Sequence, residues 1–336
     1  MMKDVPTYNH SPKALAIAKQ LVIGKLELEP SLKDSPMKVA EATHVNNTTT
    51  TFKFQHVDNL ISKGLKKWYN NIDMIGRHFV VYSETHPEIK RHYTVCNTMQ
   101  PRTLKALESL AESIVKPMTS LNEDDELFDD AFNNSDQSST SLTIKNYGMP
   151  RGVSTWIHMA QNKEYKLGDQ EFYLTGPTGK GLNISYSGLH IAFVGGTGAL
   201  VFLDLVAAIL LRNRFIGTGK KIPDSLDETQ FGDGFKFHFY MSFQDRTSTI
   251  GLDFCKKVKQ MNNQLGIDNF KLVVRLSDGD QGDQEKTASP DIEYAPKGRW
   301  DKEFIDSKVS AYAGKIKRIW VCGPPIMNET FDKAFE

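Results

Sequence analysis

Three cysteines are all that this 336-residue chain contains, and Cys96, Cys255 and Cys322 stand far apart. That spacing excludes a disulfide framework and any metal site built on closely spaced thiols, and it points to a reducing compartment. Net charge is missing too: 41 basic and 41 acidic side chains cancel. No general field therefore draws the chain to nucleic acid or to an anionic membrane. The opening residues, Met1-Met-Lys-Asp-Val-Pro-Thr-Tyr-Asn-His10, lack the basic-then-apolar order of a secretion signal. Long hydrophobic runs are also wanting. Leu200 to Leu211 comes nearest, but it is too short to span a bilayer and contains Asp204. The expected location is the cytoplasm, or the cytosolic face of a membrane reached only through a partner or a further segment.

What is present is an ordinary globular composition, 39% apolar and 24% charged, in a chain long enough for two domains. The dominant local signal runs from Gly188 to Leu211. Ile191 to Val194 is a short apolar run of buried-strand type, Gly195-Gly196-Thr197-Gly198 is a turn, and a long apolar segment of helical character follows. A glycine turn between a strand and a helix N-terminus lets backbone N–H groups approach an anion, usually a nucleotide pyrophosphate. It also serves as a mere tight turn, and the glycine spacing is not the G-x-G-x-x-G fingerprint.

Residues 1–36 read as an N-terminal extension with one apolar patch at Ala14 to Leu28. Strand patterns then follow at Met37 to His44, Thr49 to Val57, Gly76 to Ser83, Lys90 to Val95, Leu142 to Tyr147 and Glu171 to Leu174, with a turn expected at His86-Pro87. Short strands at this spacing predict an antiparallel barrel. Leu60 to Tyr69 has the pattern of a short helix with a basic face. An insertion at about 102–139 opens with helical periodicity at Thr103 to Val115. It continues into an acidic run from Asn122 to Asp130 and a Ser/Asn-rich stretch, a mobile segment that is solvated or docks a basic partner. Gly152-Val153-Ser154 opens a helix, with Ser154 a candidate N-cap. Gly168-Asp169 reads as a turn, and Gly176-Pro177-Thr178-Gly179 closes the first half near residue 185. Beyond it, strands at Phe235 to Ser242, Phe270 to Arg275 and Ile316 to Val321 alternate with helices at Ile250 to Gln264 and Arg299 to Val309. That alternation predicts a parallel sheet with ligands at the strand C-termini, where both the glycine turn and Cys322-Gly323-Pro324-Pro325 fall.

Taken in order, these motifs over residues 37 to 327 resemble the ferredoxin–NADP reductase superfamily, and within it the cytochrome b5 reductase-like branch. The carriers are Arg91-His92-Tyr93-Thr94, Gly152-Val153-Ser154, Gly176-Pro177-Thr178-Gly179, Gly195 to Gly198 and Cys322 to Pro325. The resemblance implies a six-stranded antiparallel flavin-binding barrel at 37–185 followed by a Rossmann-like parallel-sheet domain at 186–336 that binds NAD(P)H. It assigns Arg91 to a flavin phosphate, Tyr93 to the isoalloxazine, Thr94 to the flavin N5 and the backbone of Gly152, Val153 and Ser154 to the pyrophosphate. Gly195, Gly196, Thr197, Gly198, Gly323, Pro324 and Pro325 go to the pyridine nucleotide, and Cys322 to the nicotinamide. Read singly, Arg91 is a surface ion pair, Tyr93 core packing and Cys322 a small buried apolar residue.

The implied activity is that of a flavoprotein oxidoreductase. A hydride passes from NAD(P)H to FAD, with FMN the lesser alternative, and single electrons pass on to a partner carrying haem or iron–sulfur. Cofactors do this chemistry while the protein places them. A non-catalytic reductase-fold subunit of a larger complex and a flavin or ferric reductase using small acceptors are the alternatives. Asp245 favours NADH through a ribose hydroxyl, whereas Ser242 or Arg246 favours NADPH. The chain departs from the resemblance at Val201, where a proline is common. The aromatic that covers the flavin at the C-terminus has only Phe331 and Phe335 as candidates, and the insertion follows the flavin strand directly.

Overall fold

Alternation decides the first layer. In β3 (His78–Ser83) every second residue is buried, and Phe79 and Val81 are 4% and 0% exposed. Phe52 and Phe54 of β2 (Thr49–His56) and Phe172 and Leu174 of β6 (Phe172–Thr178) point the same way into one cluster. The computed structural model describes residues 35–57, 72–113, 139–148, 152–160, 170–217, 231–232, 234–278 and 292–335. The expectations at 14–28, 60–69, 122–138 and 168–169 lie outside them. Residues 34–336 form one unit by their contacts.

With β1 (Ser35–Asn46), β4 (His86–Thr94) and β5 (Ser139–Lys145), these strands make an antiparallel sheet in the order β4-β3-β6-β1-β2-β5. Its outermost strands, β4 and β5, also touch, so the sheet curls into a barrel. The turn expected at His86-Pro87 falls instead at Glu84-Thr85, and His86 and Pro87 open β4. β4 ends the hydrogen-bonded order, where a proline's missing N–H is tolerated.

The second sheet is parallel throughout, in the order β10-β9-β8-β7-β11. Its strands are β7 (Gly188–Gly195), β8 (Phe235–Phe243), β9 (Phe270–Leu276), β10 (Glu293–Tyr294) and β11 (Ile316–Cys322). β7 is buried on both faces, and its alternation sorts side chains between two layers. Leu189, Ile191 and Phe193 join the cluster of α5 (Lys302–Ser310) and α6 (Pro325–Phe335), whereas Ala192 and Val194 join that of α3 (Leu200–Gly217) and α4 (Leu252–Gln264). The sequence reading did not foresee α6.

α3 is buried almost all round, as a helix enclosed between layers must be. Its polar exceptions are all satisfied. Asn213 bonds Asn262 and Asn269, Arg214 donates to the Leu110 carbonyl at 2.8 Å, and Asp204 accepts from Asn97 and Thr98. Leu110 belongs to α1 (Pro101–Glu112), the opening of the expected insertion. That part is a packed helix. It buries Thr103, Ala106, Leu107, Leu110 and Ala111, and Lys257 of α4 pairs with its Glu108 and Glu112 at 2.8 and 2.9 Å.

Candidate functional site

β7 and β11 are parallel neighbours, with Val194 opposite Cys322. On its other side β7 pairs with β8, with Gly195 opposite Ser242. The connection order reverses between β7 and β11, the switch point at which doubly wound sheets open a ligand crevice. The two motifs singled out in the sequence therefore meet here. A Cβ at Gly198 would run into the Cys322 carbonyl, and one at Gly195 would stand 3.0 Å from Pro324 Cδ. Gly196 has φ +55° and open space where a side chain would be.

A cleft of about 370 Å³ opens over these turns. Gly195, Gly196, Thr197 and Pro324 line its base, and Ser242, Phe243, Gln244 and Ser277 extend it along the ends of β8 and β9. Arg299, Trp300 and α6 residues Ile326, Met327 and Thr330 form a further side. The barrel supplies Thr48, Thr49 and Lys145, none of which the sequence reading singled out. Thr49 Oγ1 and Trp300 Nε1 are buried without a hydrogen-bond partner, so two residues of the lining hold unspent polar groups. Open glycine backbone, hydroxyls, a lysine and an arginine suit a phosphate-bearing ligand.

Other assigned residues stand apart from this lining. Asp245 caps the turn at Arg246–Ser248, its Oδ1 accepting from the Ser248 N–H at 2.9 Å and the Thr247 hydroxyl at 2.8 Å. Those bonds hold its carboxyl below the usual aspartate range. Arg246, Gly198, Cys322, Gly323 and Pro325 adjoin the cleft in sequence without lining it. Burial raises the Cys322 thiol, which keeps it protonated and unsuited to nucleophilic work.

On the barrel, β4 places Arg91 outward, with Tyr93 and Thr94 half-buried at its end. Arg91 donates to the Lys90 carbonyl at 2.8 Å. The Tyr93 hydroxyl lies near the Ser154 side chain, so two of the assigned motifs are neighbours. Burial lifts that hydroxyl above the usual tyrosine range, against the opposite pulls of Arg91 and Ser154. α2 (Val153–Ala160) begins one residue before Ser154, and Gly152 holds the cap position, its carbonyl accepting the Trp156 N–H at 2.9 Å. Ser154 is therefore not the N-cap. Val153 sends a fully buried side chain into the barrel core, which leaves only its backbone for a ligand. An added Cβ at Gly152 would meet nothing within 4 Å, so no described residue crowds the helix start, where N–H groups favour an anion. Stacking of His86 on Trp156, ring centroids 4.4 Å apart, fixes α2 against β4.

Phe331 is no cover for a flavin. It is 2% exposed and packs 4.9 Å from Phe193 in the core between β7 and α6, with Phe335 beside it. The sequence could not show this without α6, whose start Pro325 marks as a first-turn proline.

No family model and no curated protein matches the sequence. Solved structures do match. The cytochrome b5 reductase domain of Ulva prolifera nitrate reductase superposes with a TM-score of 0.50 at 15% identity, over 92% of this chain and 95% of that domain. The chain has the cytochrome b5 reductase fold. The CS-b5R domains of human Ncb5or superpose at 0.49 with 14% identity, over 90% of this chain and 66% of that one. The flavohemoglobin of Malassezia yamatoensis gives 0.48 at 12%, over 90% and 56%. The reductase fold places the glycine turn and the Cys-Gly-Pro-Pro turn on one crevice. Among the described residues no helix is long and apolar enough to cross a membrane.

Proposed function

We propose that the chain is an NAD(P)H-dependent flavoprotein reductase with the flavin half at 37–185 and the nucleotide half at 186–336. One observation carries the reading: β7 and β11 bring Gly195–Thr197 and Pro324 to a cleft whose other wall is the barrel's Thr48, Thr49 and Lys145. A dinucleotide seated on the glycine turn would lie between the halves. FAD, when bound, would supply the hydride and single-electron chemistry between NAD(P)H and a haem or iron–sulfur acceptor.

The residues around the cofactors bind and orient. Arg91 offers a charge-assisted hydrogen bond to a flavin phosphate, and the N–H groups at the start of α2 offer a second anion site. Tyr93, half-buried near Ser154, would present its ring beside Thr94. Thr197 and the open backbone of Gly196 receive the nucleotide phosphates, and Cys322 supports the turn as a neutral thiol.

An absorption spectrum of the purified chain incubated with FAD tests the reading. A flavin band that bleaches on anaerobic addition of NADH or NADPH supports it. A flavin band indifferent to both means a nicotinamide site that does not work. A chain that retains no flavin is a structural subunit of reductase fold.

A further inference from the structure

We propose that the cleft selects NADPH over NADH, with Arg299 taking the adenosine 2′-phosphate, an inference that rests on the pyridine-nucleotide reading above. With the pyrophosphate at Gly195 to Thr197, the cleft continues past Ser242 and Gln244 to Ser277 and Arg299. An NADH-selective site usually sets a carboxylate there to accept the ribose 2′-hydroxyl. Among the described residues no Asp or Glu lines the cleft. Asp245, the carboxylate at the expected sequence position, is turned to its own cap by Ser248 and Thr247. A 2′-phosphate instead needs hydroxyl donors and a cation. Ser242 offers a hydroxyl, the Ser277 hydroxyl makes only a long 3.4 Å bond to the Gln244 carbonyl that a phosphate would replace, and the side chain of Arg299, an exposed residue of the lining, makes no hydrogen bond or ion pair among the described residues. Its planar fork matches phosphate oxygens two at a time.

The loop that presents Arg299 is fixed from below. Arg275 of β9, 3% exposed, donates Nη1 to the Arg299 carbonyl, and its guanidinium lies 4.6 Å from the Trp300 ring and 4.5 Å from that of Phe304. The Ala295 N–H reaches the Val274 carbonyl at 2.8 Å and pins the other end. Burying a guanidinium whose Nε has no partner is costly, and here it anchors the segment carrying the rim cation. Arg275 is thus a positioning residue and Arg299 the contact.

Calorimetric titration of adenosine 2′,5′-bisphosphate and of 5′-AMP into the wild-type chain and into Arg299→Ala tests this without any flavin chemistry. The wild type should bind the bisphosphate about tenfold or more tighter than 5′-AMP, in line with a charge-assisted phosphate contact. Arg299→Ala should bring that ratio close to one, and Arg299→Lys should keep part of it. Anaerobic reduction of the bound flavin should be faster with NADPH than with NADH in the wild type only. Equal binding of the two probes, an unchanged ratio in Arg299→Ala, or faster reduction by NADH overturns the inference while leaving the reductase reading standing. Binding of neither probe together with reduction by neither nucleotide overturns both.

Discussion

Thr98 and Asp204 tie the segment that follows β4 to the helix that follows the glycine turn. The Thr98 hydroxyl and N–H donate to Asp204 Oδ1 at 2.7 and 2.9 Å, and the Asn97 N–H donates to Oδ2 at 3.2 Å. All three atoms on the Thr98 side are donors, so the site is built for an acceptor. Burial works against the charge and pushes the Asp204 carboxyl up to about 6, while the three hydrogen bonds pull it down. Burial wins.

A carboxyl raised in the folded state favours the protonated fold. Its contribution is fully present below the unfolded value, near 3.8, and is lost as pH rises through about 6. The span corresponds to at most about 3 kcal/mol. Urea midpoints of wild type and Asp204→Asn, measured from pH 3.5 to 8, should diverge across this window, and parallel curves would remove Asp204 as the titrating group.

His238 acts with the opposite sign. It is 8% exposed in β8, its Nδ1 has no partner, and burial, with Lys271 adding to it, lowers its imidazole to about 4. The neutral form belongs to the fold, so its contribution is present above 6.5 and is lost as pH falls towards 4. His238→Phe should flatten the acid limb of the stability curve by up to about 3 kcal/mol. An acid limb as steep as in the wild type would place the titration elsewhere.

Arg91 separates binding from folding. Its side chain is exposed and, among the described residues, hydrogen-bonds only the neighbouring carbonyl. Arg91→Ala should shift the melting temperature of the flavin-free chain little, yet weaken FAD binding by about ten- to a hundredfold, the range of a lost charge-assisted contact. Fluorescence titration with FAD reads the loss directly, and unaltered affinity would detach Arg91 from the flavin phosphate.

The two glycines flanking Thr197 should respond differently to alanine. At Gly198 the new methyl meets the Cys322 carbonyl, which cannot yield without parting β7 from β11, and a loss above about 2 kcal/mol is expected. At Gly196 space is free and only the positive φ resists, at about 1–2 kcal/mol. Chemical denaturation of both variants ranks them, and a more damaging Gly196→Ala would contradict the packing described.

Much of the architecture was legible because period-two alternation survives wherever one face of a strand meets a core. Phe52 and Phe54, or Phe79 and Val81, need no partner to reveal their direction. The continuous apolar run at Ile191 was equally clear as a doubly covered strand. Less clear were features fixed by distant neighbours. Nothing local to Pro101–Glu112 says that Leu107 and Leu110 find their cover on α3 and α4. Nothing local to Ser154 says that it stands near Tyr93. Lys145, Arg299 and Trp300 join the cleft through sheet order, and a sequence window does not contain sheet order. The patterns at Arg91–Thr94 and Gly152–Ser154 were readable as short ordered motifs, and the fold sets Tyr93 near Ser154.

The position of α1 bears on how the protein could be taken apart. Its chain leaves the barrel strand that carries Tyr93, yet its apolar side chains are covered by α3 and α4, which belong to the other sheet. A cut at residue 185 would strip Leu107, Leu110 and their partners on both fragments. Neither piece would then be a self-sufficient module, and the two halves should melt together in a single calorimetric transition rather than one after the other. A recombinant swap of the parallel-sheet half for that of another protein of this fold would have to bring its own surface for α1, or exchange α1 with it.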